Sequence, residues 1–180
     1  NMPKDNINRA ISKSDISKDH NFENLRYEGF GPKNIAIIIE TLTDNKNRTA
    51  GAIRTTLQKF GGNLGSSGST THFFDNCGII QISNEKISEE KALDFAATVG
   101  AKDCYSQKEF QEIITKKEDF YKVKNEAEKI VKKLFYSGIE WRPKNLISLK
   151  KKEASEFESM LELLQENDDI QNVFHNCNLL

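Results

Sequence analysis

The sequence predicts an α+β protein made of two small α+β domains, one of which is inserted in the other. Strand-like and helix-like patterns follow one another from Ile79 to Trp141 in the order β-α-β-β-α-β, which is typical of a ferredoxin-like domain. Further strand and helix patterns flank this stretch on both sides. We therefore expect a ferredoxin-like domain at 79–142, inserted in a discontinuous domain of residues 22–78 plus 143–180.

Residues 1–21 are predicted to lie outside both domains. Pro3 suits the first position of a helix, where its missing N–H leaves no hydrogen bond unmade. An apolar stripe at helical spacing follows, made of Ile7, Ala10 and Ile11. We expect a helix at 3–13 that is the last helix of a truncated N-terminal helical domain, followed by a polar linker.

The discontinuous domain is predicted from segments that Gly and Pro separate. Its predicted strands are Leu25–Phe30, Ile35–Thr41, Phe73–Phe74, Leu146–Leu149 and Ile170–Phe174. Apolar residues recur at helical spacing in 46–60 and 151–166, so both segments are predicted helices. Gly61 is a plausible residue to end the first of them.

The inserted domain contains a predicted helix at 88–99, for which Ser88 is a good N-cap, and a longer one at 117–136. Its predicted strands are Ile79–Ile82, Asp103–Ser106, Phe110–Thr115 and Ile139–Trp141. Asn76 and Gly78 predict a turn that separates the strand at 79–82 from the preceding one.

The net charge of −1 conceals an asymmetry along the chain. Residues 1–60 carry ten Lys or Arg against seven Asp or Glu, residues 61–115 carry four against eight, and residues 116–180 carry twelve of each. A domain that binds nucleic acid over its whole surface is usually strongly basic. Any contact with nucleic acid must therefore be local, and near the N-terminal side.

The sequence contains no local catalytic or metal-binding signature. Cys77, Cys104 and Cys177 are far apart and form no CxxC pair, which favours reduced thiols in a cytoplasmic protein. The three histidines are scattered, and neither HExxH nor GxSxG occurs. We expect a protein that is not an enzyme and that needs no metal or cofactor.

The start of the helix at 46–60 is the first candidate site. It is polar and contains Asn45, Lys46, Asn47 and Arg48. Unpaired N–H groups at a helix start, together with cations, can hold a phosphate. The alternative is an ordinary solvated turn in which Asp44 neutralises Arg48. Arg54 is a further candidate on the same helix.

The loop Gly61–Ser69 contains four glycines and three serines. It follows a helix, precedes a strand and lacks the Lys of a P-loop, so it does not match a nucleotide-binding motif. It is either a structural connection or a mobile loop that contacts a polymer. In the second case Asn63, Ser66 and Ser69 are the contact candidates.

Two further places carry basic residues. Lys4, Arg9 and Lys13 repeat at near-helical spacing and form either a cationic stripe for phosphates or an ordinary solvated helix face. Lys144 lies in the stretch 141–145, which mixes aromatic and basic side chains.

Six ordered motifs extend over nearly the whole chain. They are Asn1–Ile7, Tyr27–Pro32, Leu42–Thr49, Gly61–Gly65 with Gly68–Ser69, Pro143–Asn145 and Gln171–Asn176. In these motifs the chain resembles the YebC/PmpR family, which includes a mitochondrial translational activator of cytochrome oxidase. One departure is at Lys33 and Asn34, where the family more usually has glycines.

The resemblance implies a three-domain protein whose first domain is a helical bundle and whose third is ferredoxin-like and inserted in the second. It implies a non-enzymatic regulator of gene expression without an obligatory cofactor, cytoplasmic in bacteria or mitochondrial in an organelle homologue. The family is described as probable DNA-binding transcriptional regulators, and some members are similar to translation factors that act at stalled ribosomes. The expected partners are therefore DNA, ribosomal RNA or the ribosome, and not a membrane or a small-molecule substrate. The oligomeric state stays open, with a monomer as the simplest expectation.

Two other functions remain open from the residues alone. The acidic segment 85–112 would suit a protein-interaction module that docks a basic partner, such as a ribosomal protein. The glycine loop would suit a small-molecule or enzymatic site if the folded chain held a nucleotide pocket.

Overall fold

The computed structural model of the protein describes residues 21–179. The predicted helix at 3–13 lies outside the described residues. The chain divides into two compact units. Among the described residues, the outer unit comprises those up to Phe74 and from Pro143 onward, and the inserted unit comprises Asp75–Arg142. Both units combine helices with a sheet, which confirms the predicted α+β class.

The described chain contains ten strands and four α-helices. The strands are β1 (Glu23–Phe30), β2 (Ala36–Thr43), β3 (Asn63–Leu64), β4 (Phe74–Ser83), β5 (Asp103–Ser106), β6 (Phe110–Lys116), β7 (Tyr136–Pro143), β8 (Ile147–Ser148), β9 (Ile170–His175) and β10 (Cys177–Asn178). The helices are α1 (Lys46–Lys59), α2 (Glu89–Val99), α3 (Phe120–Ile130) and α4 (Lys151–Gln165). Short 3-10 helices lie at Pro32–Asn34, Thr71–Phe73 and Lys117–Asp119.

The outer unit is built on a sheet with the strand order β3-β1-β2-β9. Strand β2 pairs antiparallel with both β1 and β9, and β8 and β10 form a separate parallel pair. Side chains alternate between the two faces of a strand. Every second residue from Ile35, just before β2, to Ile39 therefore points to the same face. Ile35, Ile37 and Ile39 of this face share a core with Leu57 of α1 and Phe157 of α4. This packing holds both helices on the sheet.

The inserted unit has the strand order β5-β6-β4-β7, so its first strand lies between its third and fourth. With the chain order β-α-β-β-α-β, this is the predicted ferredoxin-like arrangement. Strand β6 pairs antiparallel with both β4 and β5. The core contains Ile80, Ile82, Ile87, Ala92, Phe95, Ala96, Ile113, Phe120, Val123, Ala127 and Val131.

The predicted turn at Asn76 and Gly78 is wrong, because β4 runs without interruption from Phe74 to Ser83. Gly78 is buried inside this strand, where a Cβ would lie 2.7 Å from the ring of Phe120. Glycine at this position therefore makes room for an aromatic ring rather than a turn. Sequence patterns do not distinguish the two uses of glycine.

The helix predicted at 117–136 is shorter than expected. It begins with a 3-10 turn at Lys117–Asp119 and ends at Ile130, after which Val131 is extended and buried. The apolar residues beyond Ile130 continue the helical spacing, but Val131 packs in the core from an extended backbone. Tertiary packing overrides the local helical pattern at this end.

Lys33 and Asn34 both adopt positive φ angles, of 57° and 58°. They lie in the turn between β1 and β2, which the Gly31 N–H closes by donating to the Ile35 carbonyl at 2.8 Å. Positive φ is uncommon for residues with a Cβ, although asparagine adopts it more readily. The same backbone angles suit the glycines that the resembled family more usually has at these two positions.

Candidate nucleic-acid interface

The start of α1 is capped by residues of the first candidate site. The Asn45 side chain accepts a hydrogen bond from the Arg48 N–H at 3.0 Å, as an N-cap residue does. The Asn45 N–H donates in turn to the Thr43 hydroxyl at 2.9 Å. Lys46 and Asn47 are exposed on the first turn. The capping also confirms the predicted start of this helix.

Arg48 is tied down by two carboxylates. Its Nη2 atom lies 2.8 Å from Asp44 Oδ1 and 2.8 Å from Asp169 Oδ2, although 54% of the side chain remains exposed. The hydrogen bond that Arg48 donates to Asp169, and a second that it donates to Asp44, raise the pKa of Arg48. The sequence alternative, in which Asp44 neutralises Arg48, is therefore part of the observed arrangement.

Asp169 is the centre of a buried polar cluster. Its Oδ2 atom also lies 2.8 Å from the Thr49 hydroxyl and 3.2 Å from the Thr43 hydroxyl. Its carbonyl accepts a hydrogen bond from the Leu42 N–H at 2.8 Å. Asp169 thus fastens the end of β2 and the first turn of α1 to the turn before β9.

The outward surface of α1 is cationic. The helix contains Lys46, Arg48, Arg54 and Lys59 and no Asp or Glu. Lys46, Arg54 and Lys59 are exposed, and none of the three forms an ion pair with a described residue. Each of the three other described helices contains at least two acidic residues. The helix is therefore the described element best suited to an anionic polymer.

The glycine loop after α1 is fastened to a buried carboxylate. Glu28, which is 2% exposed, accepts hydrogen bonds from the N–H groups of Gly68, Thr70 and Thr71 at 2.8 to 3.1 Å. Burial alone would raise the pKa of Glu28, but these three hydrogen bonds and a fourth from the Thr70 hydroxyl outweigh it and hold the pKa below its ordinary value. The loop is thus a structured connection around an ionised carboxylate.

The structure separates the two main groups of predicted residues. Asn45–Arg48 lie at the start of α1, whereas Asn63, Ser66 and Ser69 follow its end, and a helix of 14 residues is about 20 Å long. Asn63 pairs with β1, Ser66 is exposed, and Ser69 lies against Gly65. Arg54 is exposed between the two groups.

Lys144 lies beside the 3-10 turn Thr71–Phe73. Its N–H donates to the Phe73 carbonyl at 2.9 Å, and its Nζ donates to the His72 carbonyl at 3.1 Å. The predicted residues Lys4, Arg9 and Lys13 lie outside the part of the chain that the structure describes.

Residues 22–177 match the family described as the TACO1/YebC second and third domain. The chain belongs to the TACO1/YebC family. This confirms the resemblance that the sequence motifs indicated.

Proteins from several bacteria are similar in sequence to this TACO1/YebC protein over almost the whole chain. A probable transcriptional regulatory protein of Pelagibacter ubique is 47% identical over 178 residues, which cover 99% of this chain and 74% of the relative. A protein of the same description from Zymomonas mobilis is 43% identical, with 99% and 72% covered. The crystal structure of a conserved hypothetical protein from Aquifex aeolicus is similar with a TM-score of 0.81 at 35% identity, covering 98% of this chain and 74% of that one.

Two acidic residues that organise the candidate surface of this TACO1/YebC protein were not predicted from the sequence. Glu28 lies in the motif Tyr27–Pro32. An acidic residue inside a predicted strand of the outer unit is the sequence signal that could have indicated a buried carboxylate. Asp169 follows Asp168 in a polar turn and carries no local mark that distinguishes it. Both act on partners at least 40 residues away in the sequence.

Three further observations on residues 21–179 concern metal ligands, thiols and membrane-spanning helices. No three His, Cys, Asp or Glu side chains of this region are grouped so that they could hold a metal ion. Cys77, Cys104 and Cys177 are unpaired thiols, and burial raises the pKa of each. Within the same region, no helix combines the length and apolar character that crossing a bilayer requires.

Proposed function

We propose that this protein is a cytoplasmic, non-enzymatic regulator of gene expression that binds nucleic acid through the outward surface of α1. The observation that carries the proposal is the composition of this helix, with four cations and no carboxylate. The curated relatives, which are named probable transcriptional regulatory proteins, support a regulatory role.

A local cationic surface is sufficient for such a contact. Each phosphate that a Lys or Arg neutralises releases condensed counterions, and this release favours binding at low salt. The net charge of the chain is only −1, so repulsion from the rest of the molecule is weak and a single positive helix can decide the orientation of docking. Contacts of this kind position a nucleic acid without selecting its sequence.

The cations of α1 have different roles in this proposal. Lys46, Arg54 and Lys59 supply charge to the phosphates, because no described carboxylate neutralises them. Arg48 has two carboxylate partners and chiefly holds the helix start in place. A phosphate would have to compete with Asp44 for the exposed part of the Arg48 side chain.

The test is the salt dependence of nucleic-acid binding in the full chain. Replacing Lys46, Arg54 and Lys59 together with Ala should weaken binding and reduce the slope of log K against log salt. The reduction should be about 0.7 to 0.9 for each phosphate that the variant no longer neutralises. The weakening should be similar for all sequences, since phosphates carry no sequence information.

The matched control removes three exposed lysines of the inserted unit, Lys117, Lys122 and Lys132, and so changes the net charge equally. The control should keep the slope of the unmodified protein. Equal slopes for both triple variants would overturn the assignment of the surface to α1, and no binding of either DNA or RNA would overturn the function itself.

The proposal has two forms. In the first the protein regulates transcription, and in the second it regulates translation. The first predicts binding to duplex DNA. The alternative is a ribosome-associated translation factor that binds ribosomal RNA or ribosomal proteins and relieves stalled translation. Co-sedimentation with ribosomes at several salt concentrations, compared with binding to duplex DNA at the same salt, decides between them.

A further inference from the structure

Two consecutive aromatic side chains form a stacked pair on the surface of the outer unit. The rings of His72 and Phe73 have centroids 4.0 Å apart and planes inclined by 39°. Both residues are exposed, Phe73 by 38%. The ring of Phe30 meets the ring of Phe73 edge-on with centroids 6.3 Å apart, so Phe73 contacts a second aromatic ring while His72 is exposed.

The turn that carries this pair is rigidly held. Thr70, which is fully buried, donates its N–H to Glu28 at 2.8 Å and lies within 3.1 Å of the Ile37 carbonyl through its hydroxyl. The Phe73 N–H donates to the Thr70 carbonyl at 3.0 Å. The rings are thus set in place before any partner binds, which lowers the entropic cost of binding.

A positive charge lies next to the pair. The Lys144 ammonium donates to the His72 carbonyl at 3.1 Å, and the Lys144 N–H donates to the Phe73 carbonyl at 2.9 Å. An aromatic face with a cation at its edge has the two components that recognise an unpaired nucleotide, a surface for the base and a charge for the phosphate.

We infer that His72 and Phe73 form a stacking platform for an unpaired base, so that the nucleic acid bound here is single-stranded. The inference rests on the proposed function and argues against its transcriptional form, which predicts binding to duplex DNA. In a duplex both faces of each base are already stacked on neighbours, and a protein ring could reach a face only by unstacking them. Stacking on a protein ring tolerates any base, because every base has a π-face.

The experiment measures binding of the full chain to an unstructured 12-nucleotide RNA, to DNA of the same sequence and to the corresponding duplex. The single strands should bind more tightly than the duplex, and the comparison of RNA with DNA shows which sugar is preferred. His72→Ala should weaken single-strand binding by about 5- to 160-fold, the range expected when one base loses its stacking partner. His72→Phe, which keeps a ring, should restore most of it.

A matched control comes from an aromatic pair of the inserted unit, in which one ring is exposed. Phe135 is 53% exposed and stacks on Phe110 at 5.1 Å with an inclination of 31°. Phe135→Ala in the inserted unit should leave binding unchanged. A strand that carries 2-aminopurine should also lose fluorescence on binding the unmodified protein, because stacking quenches this base, and this quenching should disappear in His72→Ala.

The outcomes separate the two proposals. If His72→Ala binds within twofold of the unmodified protein, or if the duplex binds as tightly as the single strands, the platform is overturned while binding through α1 stands. If no nucleic acid binds at any salt concentration, the platform and the proposed function are both overturned.

Discussion

Arg48 donates a hydrogen bond from Nη2 to Asp169 Oδ2 at 2.8 Å, across 121 residues of sequence. Asp169 is buried, whereas Arg48 is half-exposed. The Arg48 side chain therefore lies between solvent and the buried polar cluster at the helix start. The pair joins the first turn of α1 to the turn before β9. Arg48, which the sequence offered with Lys46 as a phosphate ligand, therefore has a structural partner.

The first prediction concerns the two carboxylates that hold Arg48. Asp169→Asn should lower the free energy of unfolding by about 2 kcal/mol, because a buried acceptor of several hydrogen bonds loses its charge. Asp44→Asn should have a much smaller effect, since the Asp44 pair is at the surface and solvent screens it. Urea denaturation of both variants measures the difference, and equal losses would contradict the central role of Asp169.

The second prediction concerns the carboxylate under the glycine loop. Glu28→Gln should lower the free energy of unfolding by about 2 to 3 kcal/mol, because three backbone donors lose an ionised acceptor. Glu23→Gln, on the same strand but exposed, serves as the control and should change stability little.

The pH dependence of the Glu28→Gln difference follows from the lowered pKa of Glu28. The unfolded carboxyl titrates near its ordinary value of about 4.3, and the folded one titrates lower. The stabilisation is therefore fully present above pH 4.3 and is lost as the pH falls through the folded pKa. A difference between the two proteins that stays constant at more acidic pH would argue against an ionised Glu28.

The third prediction concerns His175 on β9, whose ring meets Phe157 edge-on at 5.1 Å. Burial lowers the pKa of His175, although a hydrogen bond with the Cys177 backbone opposes the shift. As the pH falls below about 6.5, the unfolded state takes up a proton before the folded one does. Stability should therefore decrease toward acid in this window, by at most about 1.4 kcal/mol per pH unit. His175→Gln should remove that slope in denaturation curves measured between pH 7.5 and 5.5, and an unchanged slope would assign it to other groups.

The fourth prediction compares two glycines. Gly51 lies within α1, and a Cβ there would meet no atom within 4 Å, so Gly51→Ala should stabilise the protein by about 0.5 to 1 kcal/mol through helix propensity. A Cβ at Gly62 would collide with the Phe30 carbonyl, which is backbone and cannot move aside. Gly62→Ala should therefore destabilise the protein. Thermal denaturation of the pair gives the two signs, and a stabilised Gly62→Ala variant would contradict the described loop.

The elements that depend on nearby residues were predictable. Helix α2 begins after Ser88, whose side chain accepts a hydrogen bond from the Lys91 N–H as an N-cap does, and α1 begins at Lys46 as expected. The order of elements in the inserted unit also followed from the sequence, because apolar periodicity distinguishes strands from helices. The short strands β3 and β10 escaped prediction, since two residues show no period.

The candidate surface was predicted only in part. The cations of α1 are visible in the sequence, but which of them is neutralised depends on Asp169, far along the chain. The stacked pair of His72 and Phe73 was not predicted as a site, because two adjacent aromatic residues face the same way only in a particular turn. That turn depends on a hydrogen bond to Glu28 from 42 residues away.

The sequence by itself determined the α+β class, the family, the order of helices and strands in the inserted unit and the positive character of α1. These properties depend on composition and on spacings within a few residues. Tertiary structure alone decided that Gly78 lies inside a strand, that Glu28 accepts hydrogen bonds from the glycine loop and that Arg48 forms an ion pair with Asp169. In each case the deciding atom comes from a distant part of the chain, and only folding brings it within van der Waals or hydrogen-bonding distance.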